Sequence, residues 1–319
     1  MSNARPPFDP ELGTVAAAIA DSVPATLTAD MIPEFRRIET PGASRSAVED
    51  MGLVARDVAA TGHDGTEIVL SVIHRPERTG IGPGIYYVHG GGMVMGDRWN
   101  GVLGLAEWAQ RLNAVIVTVE YRLAPEHPDP TPVEDCYTGL VWTAAHSKEL
   151  GIDPKRLMVA GVSAGGGLAA GTALLARDRQ GPVLCAQLLM CPMLDDRDST
   201  VSTGQFDGVG TWSRGSNVTG WSALLGDRRG SENVSIYAAP ARAVDLSGLP
   251  PTYIDCGSAE VFRDEDVAYA TSIWSAGGQA ELHVWAGGFH GFDVFAPDSE
   301  VSAQAVATRK NWITRVLSA

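Results

Sequence analysis

The chain has 319 residues, enough for one large domain with additions or for two smaller domains. Its hydrophobic fraction of 45% and charged fraction of 19% are typical of a soluble globular protein. The net charge of −14 argues against nucleic acids and anionic membrane surfaces as partners and favours small neutral or cationic molecules. No apolar run approaches the roughly 18 residues that cross a bilayer, and the first residues lack the pattern of a secretory signal. We therefore expect a cytoplasmic protein without membrane contact.

The chain begins with a segment rich in Ala and Pro that predicts short helices at residues 15–20 and 30–38. From Leu53 onwards the pattern predicts an antiparallel hairpin with its turn at residues 63–65. Short apolar runs then alternate with helical stretches, which predicts a parallel sheet covered by helices on both faces. The predicted strands are 84–89, 114–121, 156–162, 185–190, 251–256 and 280–285, and the predicted helices are 98–111, 131–149, 164–177, 263–276 and 300–317.

Residues 195–240 interrupt this alternation. The segment is polar and rich in Gly, and it is long for a plain loop. It predicts an insertion that covers another part of the molecule.

The four cysteines have no C-x-x-C spacing, and three of them lie in apolar runs. Free thiols are therefore expected rather than disulfides or a metal site. The cysteines are Cys136, Cys185, Cys191 and Cys256.

The segment VAGVSAGGGLAAG at residues 159–171 places Ser163 between an apolar strand and an Ala-rich helix. The pattern G-x-S-x-G is weak by itself in a chain rich in glycine. Preceded by a strand and followed by a helix, however, it is typical of a nucleophilic serine. Gly161 and Gly165 would then flank a turn too tight for side chains, and the N-terminus of the helix would stabilise an anionic intermediate.

A serine nucleophile needs a base, and His290 is the best placed of the seven histidines. It follows the last predicted strand in a loop rich in glycine, at the sheet edge where ligand sites of open α/β sheets lie. The acid that orients the imidazole is expected after the preceding strand. Glu260 lies there, and Asp264 is the alternative, although acidic residues in the first turn of a helix often have a structural role.

A glycine run, His89-Gly90-Gly91-Gly92, follows the strand at 84–89. Such a run can turn backbone N–H groups towards the nucleophile. We expect the N–H groups of Gly91, Gly92 and Ala164 to bind the oxyanion, and His89 to hold the loop rather than to react.

Five motifs together resemble those of the hormone-sensitive-lipase-like (family IV) bacterial esterases, in order and spacing, from about residue 80 to 295. They are HGGG at 89–92, YRLAPEHP at 121–128, GVSAGG at 161–166, the acid at 260 and HGF at 290–292. The resemblance implies an α/β-hydrolase fold with a mostly parallel eight-stranded central sheet, helices on both faces and a helical cap. It also implies hydrolysis of short- to medium-chain acyl or aryl esters, no cofactor, and frequent homodimers.

The resemblance further implies a division of the chain into cap and catalytic core. Residues 1–50 would be the first part of the cap, 51–194 the first part of the core, 195–240 the cap insertion, and 241–319 the rest of the core. Two residues depart from the family's usual motifs: Val162 replaces an acidic residue, and Glu260 replaces Asp. The longer side chain of Glu260 makes its distance to His290 the main geometric question.

Aromatic residues near the predicted site are candidates for substrate contact, although aromatic side chains more often belong to the core. They are Phe206, Trp212 and Phe289, with Trp99 and Trp221 as further candidates. The YRLAPEHP segment is predicted to be a scaffold in which Arg122 pairs with Glu126 within one turn.

Two alternatives to an esterase remain open. An amidase, lactonase or dehydratase of the same fold would use similar residues, and nothing in the sequence excludes it. A non-catalytic ligand-binding relative is less compatible with the sequence, because hormone receptors of this fold lack the histidine that is present here as His290.

Overall fold

The computed structural model of the protein describes residues 4–38 and 43–318. The parts of the predicted cap and core at residues 1–3, 39–42 and 319 lie outside these ranges. Within them, eight strands form one sheet: β1 Val54–Thr61, β2 Glu67–His74, β3 Gly82–Val88, β4 Val115–Glu120, β5 Ile152–Val162, β6 Ala186–Met190, β7 Thr252–Gly257 and β8 Ala280–Trp285.

The strand order is β1-β2-β4-β3-β5-β6-β7-β8. β1 and β2 form the predicted antiparallel hairpin, and β2 pairs antiparallel with β4. The other pairs are parallel, so the sheet is mostly parallel, as predicted. β3 and β5 are neighbours in register, with Val88 opposite Gly161. The HGGG loop and Ser163 therefore emerge side by side at the carboxyl edge of the sheet.

Helices flank the sheet, and two of them differ from the prediction. The helix predicted over 98–111 begins only at Leu103, because Gly101 has φ +83°, which a right-handed helix does not accommodate. The helix predicted over 131–149 is divided at His146. The helices are α1 Pro10–Ala20, α2 Ile32–Phe35, α3 Arg45–Asp50, α4 Leu103–Arg111, α5 Thr131–Ala145, α6 Ser147–Leu150, α7 Ala164–Asp178, α8 Val201–Gln205, α9 Arg214–Leu225, α10 Arg263–Ser275, α11 Phe292–Phe295 and α12 Glu300–Leu317.

The central strands are buried on both faces, which explains their continuous apolar sequences. Along β3, Tyr86 and Val88 belong to the core cluster that includes α5, α7 and α10. Ile85 and Tyr87 point to the opposite face, where the core cluster includes α4 and α12. Successive side chains of a strand point to opposite faces, so the buried strand β3 contributes side chains to the apolar cores on both sides of the sheet.

Residues 4–38 and 195–240, called the cover below, contact each other and the core. Phe8 and Leu12 pack against Phe289 in a separate apolar cluster. The Thr26 and Ser213 hydroxyls are 3.0 Å apart, and the Leu27 N–H donates to Ser216 Oγ at 2.9 Å. Among the described helices, none is long and apolar enough to cross a membrane.

Candidate active site

Ser163 lies on the turn between β5 and α7, called the elbow below (residues 161–165). Its backbone has φ +56°, unusual for a residue with a side chain and a sign of local strain. A Cβ on Gly161 would lie 2.1 Å from the Gly165 carbonyl oxygen, and a Cβ on Gly165 would lie 2.3 Å from the oxygens of Val88 and His89. Both positions therefore require glycine, as the sequence predicts.

A continuous chain of hydrogen bonds joins Ser163, His290 and Glu260. His290 Nε2 is 2.9 Å from Ser163 Oγ, and His290 Nδ1 is 2.6 Å from Glu260 Oε2. The other carboxylate oxygen of Glu260 accepts the Gly257 N–H at 2.6 Å. The longer glutamate thus reaches the imidazole while its second oxygen is anchored to β7. A base that is oriented by an acid and bonded to a hydroxyl can activate that hydroxyl for nucleophilic attack.

The HGGG loop packs directly against the elbow. A Cβ on Gly90 would lie 3.3 Å from Ser163 Cβ, so the loop backbone is in close contact with the Ser163 side chain. The His89 ring stacks on Tyr121 at 4.2 Å, and its Nδ1–H donates to the Gly90 carbonyl at 2.7 Å. Burial lowers the pKa of His89 to about 4, so its imidazole is neutral at neutral pH. These contacts support a role for His89 in holding the loop.

Comparisons with known proteins agree with this geometry. A family model described as the alpha/beta hydrolase fold matches residues 85–294. Carboxylesterase NlhH of Mycobacterium tuberculosis is 33% identical over 324 residues, covering 99% of this chain and 98% of the relative. The chain therefore belongs to the hormone-sensitive-lipase-like esterases of the α/β-hydrolase fold.

Solved structures of esterases resemble this one over nearly the whole chain. A bacterial heroin esterase superposes with a TM-score of 0.88 at 38% identity, covering 97% of this chain and 98% of that one. An esterase of the archaeon Pyrobaculum calidifontis superposes with a TM-score of 0.85 at 31% identity, covering 98% and 100%. The protein, a member of this esterase family, is accordingly a carboxylic ester hydrolase that acts on small molecules.

Asp264, the alternative acid, does not reach His290 in this esterase. Its carboxylate accepts the Ser202 N–H at 2.7 Å and pairs with Arg263 at 2.7 Å. Asp264 therefore joins α10 to the beginning of α8, which is a structural role.

Two buried carboxyl groups at the start of α10 have no cationic partner among the described ion pairs. Glu265 Oε1 accepts the backbone N–H groups of Leu194 and Asp195 at 2.7 and 3.2 Å. Asp266 is fully buried. Burial is the main cause that raises the pKa of both groups well above the ordinary range, and for Asp266 the nearby Glu260 adds to it.

The predicted pairing of Arg122 with Glu126 is wrong. Arg122 instead donates to Asp135, whose carboxylate is fully buried, and to Asp64 in the hairpin turn, each at 2.7 Å. Glu126 pairs with Arg36 of the cover at 2.8 Å. A buried carboxylate attracts the guanidinium more strongly than an exposed neighbour in sequence does. The segment still acts as a scaffold, but through contacts distant in sequence.

The aromatic candidates fall into two groups. Phe206, Trp221 and Phe289 are fully buried, and Trp99 belongs to the apolar core on the face of the sheet that α4 covers. These positions argue for core roles rather than substrate contact. Trp212 of the cover lies directly over the loop, because a Cβ on Gly92 would meet its ring at 2.3 Å. Trp212 therefore contacts the loop that carries two of the predicted oxyanion donors.

Sequence reasoning missed two residues of the site. The Thr211 hydroxyl donates to the His290 carbonyl at 2.5 Å, which ties the cover to the histidine loop. Nothing in the sequence indicates this contact. Cys191 lies close to both Glu260 and His290, its sulfur within 4.8 Å of their ligand atoms. Its position directly after β6, at the carboxyl edge of the sheet, is a signal that could have identified it.

Proposed function

We propose that Ser163, His290 and Glu260 hydrolyse short- to medium-chain carboxylic esters, aryl esters included, through an acyl-enzyme. The observation that carries this proposal is the continuous hydrogen-bond chain from Ser163 through His290 to Glu260. The names of the similar esterases support the substrate class.

In the first step Ser163 Oγ attacks the ester carbonyl carbon while His290 Nε2 takes the hydroxyl proton. The bond to the alcohol breaks as His290 returns that proton to the leaving oxygen. Water then attacks the acyl group with His290 again as the base, and Ser163 and the acid are released. Glu260 holds the imidazole in the productive tautomer and stabilises its cationic form.

The negative oxygen of the tetrahedral intermediate would be bound by backbone N–H groups of Gly91, Gly92 and Ala164. Ala164 is the first residue of α7, where the N–H has no partner within the helix. The contact of the HGGG loop with Ser163 supports the placement of the two glycines. Each such donor contributes about 3 kcal/mol to stabilising the transition state.

The preference for short and medium acyl chains follows from the closeness of the cover. Ser163 is only 8% exposed and His290 only 9%. Thr211 and Trp212 of the cover contact the His290 loop and the HGGG loop. A long acyl chain would have to displace these contacts before its carbonyl reached Ser163.

The test is hydrolysis of p-nitrophenyl esters from acetate to laurate and of the matching acetanilide. The wild type should prefer the shorter esters and hydrolyse the anilide far more slowly. Ser163→Ala should lose several orders of magnitude in kcat, and Ser272→Ala, on the exposed face of α10, should lose little. Retention of activity in Ser163→Ala would contradict the mechanism, and an anilide rate equal to the ester rate would indicate an amidase.

The predicted homodimer is part of the same proposal. β8 is one of the two edge strands of the sheet, and Val284 on it is 40% exposed. Nearby in the chain, Val294 and Phe295 are 61% and 52% exposed. An edge strand and exposed apolar side chains each favour pairing with a second copy. Sedimentation analysis should give twice the mass of the chain, whereas a single-chain mass would contradict the dimer.

A further inference from the structure

The thiol of Cys191 lies next to two members of the proposed triad, Glu260 and His290. Cys191 follows β6, and its backbone N–H donates to the Asp255 carbonyl at 2.6 Å, which fixes it beside β7. Its sulfur, a carboxylate oxygen of Glu260 and a ring nitrogen of His290 all lie within 4.8 Å of one another. In the part of the chain that the structure describes, no other three such side chains converge so closely.

A thiol, an imidazole and a carboxylate form a ligand set that Zn²⁺ and other thiophilic divalent cations bind. Around one tetrahedral Zn²⁺ the ligand atoms would lie about 3.5 Å apart. The three ligands come from separate segments, so no metal pattern is visible in the sequence.

The cluster is buried but not sealed, and it lies in a strongly acidic protein. Cys191 and His290 are each slightly exposed, at 8% and 9%, so neither residue is fully sealed from solvent. Burial, and after it the nearby carboxylates of Glu260 and Asp293, raise the pKa of the Cys191 thiol, so the cation has to displace the thiol proton when it binds. The whole chain carries a net charge of −14, which raises the local concentration of cations.

We propose that Cys191, Glu260 and His290 form an inhibitory site for a thiophilic divalent cation, represented by Zn²⁺. The predicted inhibition rests on the proposed catalytic role of His290, whereas the predicted binding of the cation does not. One imidazole nitrogen is bonded to Glu260 and the other to Ser163, so a metal ion on either nitrogen removes a hydrogen bond of the triad. The thiol proton passes to solvent as the sulfur binds. Cation and substrate then exclude each other.

The first test titrates Zn²⁺ into the esterase assay of three proteins: wild type, Cys191→Ser, and Cys185→Ser as the matched control. Cys185 is a half-buried free thiol at the other end of β6. Each inhibition curve is normalised to the uninhibited rate of the same variant. The Zn²⁺ concentration for half inhibition should rise by about tenfold or more in Cys191→Ser and stay unchanged in Cys185→Ser. Addition of EDTA should restore activity.

The second test measures binding without any reaction. Cd²⁺ added to Ser163→Ala should produce the ultraviolet absorption of a cadmium–thiolate bond, with one ion per chain. Cys191→Ser and Cys191→Ala, each combined with Ser163→Ala, should lack this band, provided that circular dichroism shows them folded. A band that survives both changes, or equal Zn²⁺ inhibition in all variants, would overturn the proposal. Because Ser163→Ala is used, a failed esterase mechanism would not affect this result.

Discussion

The elbow and the cover are held in place by different means. At the elbow, backbone atoms pack directly against other backbone atoms. A Cβ added at Gly161 or Gly165 would collide with backbone oxygens. The cover is held mainly by side chains. Arg242 pairs with the fully buried Asp196, and Asp198 binds the side chains of Asn217 and Arg229.

Because the two regions are held in different ways, we expect the elbow to determine the reaction and the cover to determine which substrates enter. The backbone at the elbow fixes the proposed nucleophile, Ser163, so we expect few substitutions there to be compatible with activity. Single side-chain changes in the cover can alter the opening above Ser163 while the hydrogen-bond chain below remains intact. Substitutions in the two regions should therefore have effects of different kind as well as different size.

The largest effect is expected below the elbow, at Glu260. Glu260→Gln should lower kcat by about three to four orders of magnitude, because the amide favours the wrong tautomer of His290. Asp264→Asn is the matched control, since Asp264 bonds to Ser202 and Arg263 instead. Steady-state kinetics of both variants measure this. An equal loss in Asp264→Asn would reassign the acid.

At the elbow itself, Gly165→Ala should reduce the free energy of unfolding by about 3 kcal/mol. The added Cβ would lie 2.3 Å from two backbone oxygens that cannot move independently. Gly104→Ala in α4 has open space around the new atom and should raise stability by about 0.5 kcal/mol. Urea unfolding of the two variants compares them, and similar stabilities would mean that the elbow is not tightly packed.

In the cover, Asp198→Asn should cost about 2 kcal/mol, because the buried carboxylate accepts from Asn217 at 3.0 Å and from Arg229 at 3.1 Å. KM for short esters should rise while kcat changes little. Arg56→Gln breaks an exposed pair with Glu149 and should cost less than about 0.5 kcal/mol. A large loss of kcat in Asp198→Asn would show that the cover takes part in the reaction step.

Charge burial distinguishes the regions as well. The buried acids Asp195, Asp196 and Asp198 of the cover pair with arginines, whereas the buried Asp266 of α10 has no arginine partner among the described ion pairs. Its pKa is raised by burial well above the ordinary value of 3.8. The folded state therefore holds a proton that the unfolded state releases, and Asp266 makes stability fall as pH rises above about 4.

Asp266→Asn should reduce the slope with which the free energy of unfolding falls as pH rises, by up to about 1.4 kcal/mol per pH unit. Below pH of about 4 the pH dependence of the variant should differ little from that of the wild type. Unfolding measured across the pH range tests it. Parallel curves for the two proteins would show that Asp266 is ionised in the folded state.

The smallest effect is expected where the two regions meet. Thr211→Val removes the hydrogen bond to the His290 carbonyl and should lower kcat by about fivefold, equivalent to about 1 kcal/mol. Thr271→Val removes a comparable hydroxyl bond on exposed α10 and should leave kcat unchanged. Equal kcat values in both variants would mean that the cover does not position the histidine loop.

The sequence predicted the sheet, the elbow and the positions of Ser163, His290 and Glu260 because these follow local rules. A strand, a tight turn that needs glycine and a helix are adjacent in the chain, and the carboxyl ends of parallel strands meet at one edge. The same rules place the HGGG loop after β3. Each of these predictions required only neighbouring residues and the order of strands.

Contacts that depend on tertiary packing were beyond these rules. Arg122 pairs with the buried Asp135 rather than with Glu126. The Thr211 hydroxyl donates to the carbonyl of His290, which lies 79 residues away in the sequence. The full burial of Phe206 and Phe289 depends on how the cover packs on the core. Composition and spacing do not determine such distances.

Covalent labelling of the nucleophile tests the central claim most directly. The protein would be treated with a fluorophosphonate, digested and mapped by mass spectrometry, with His290→Ala treated in parallel. The account predicts one adduct per chain, on Ser163, formed rapidly in wild type and far more slowly without the base. An adduct on another residue, or equal labelling rates in the two proteins, would contradict it.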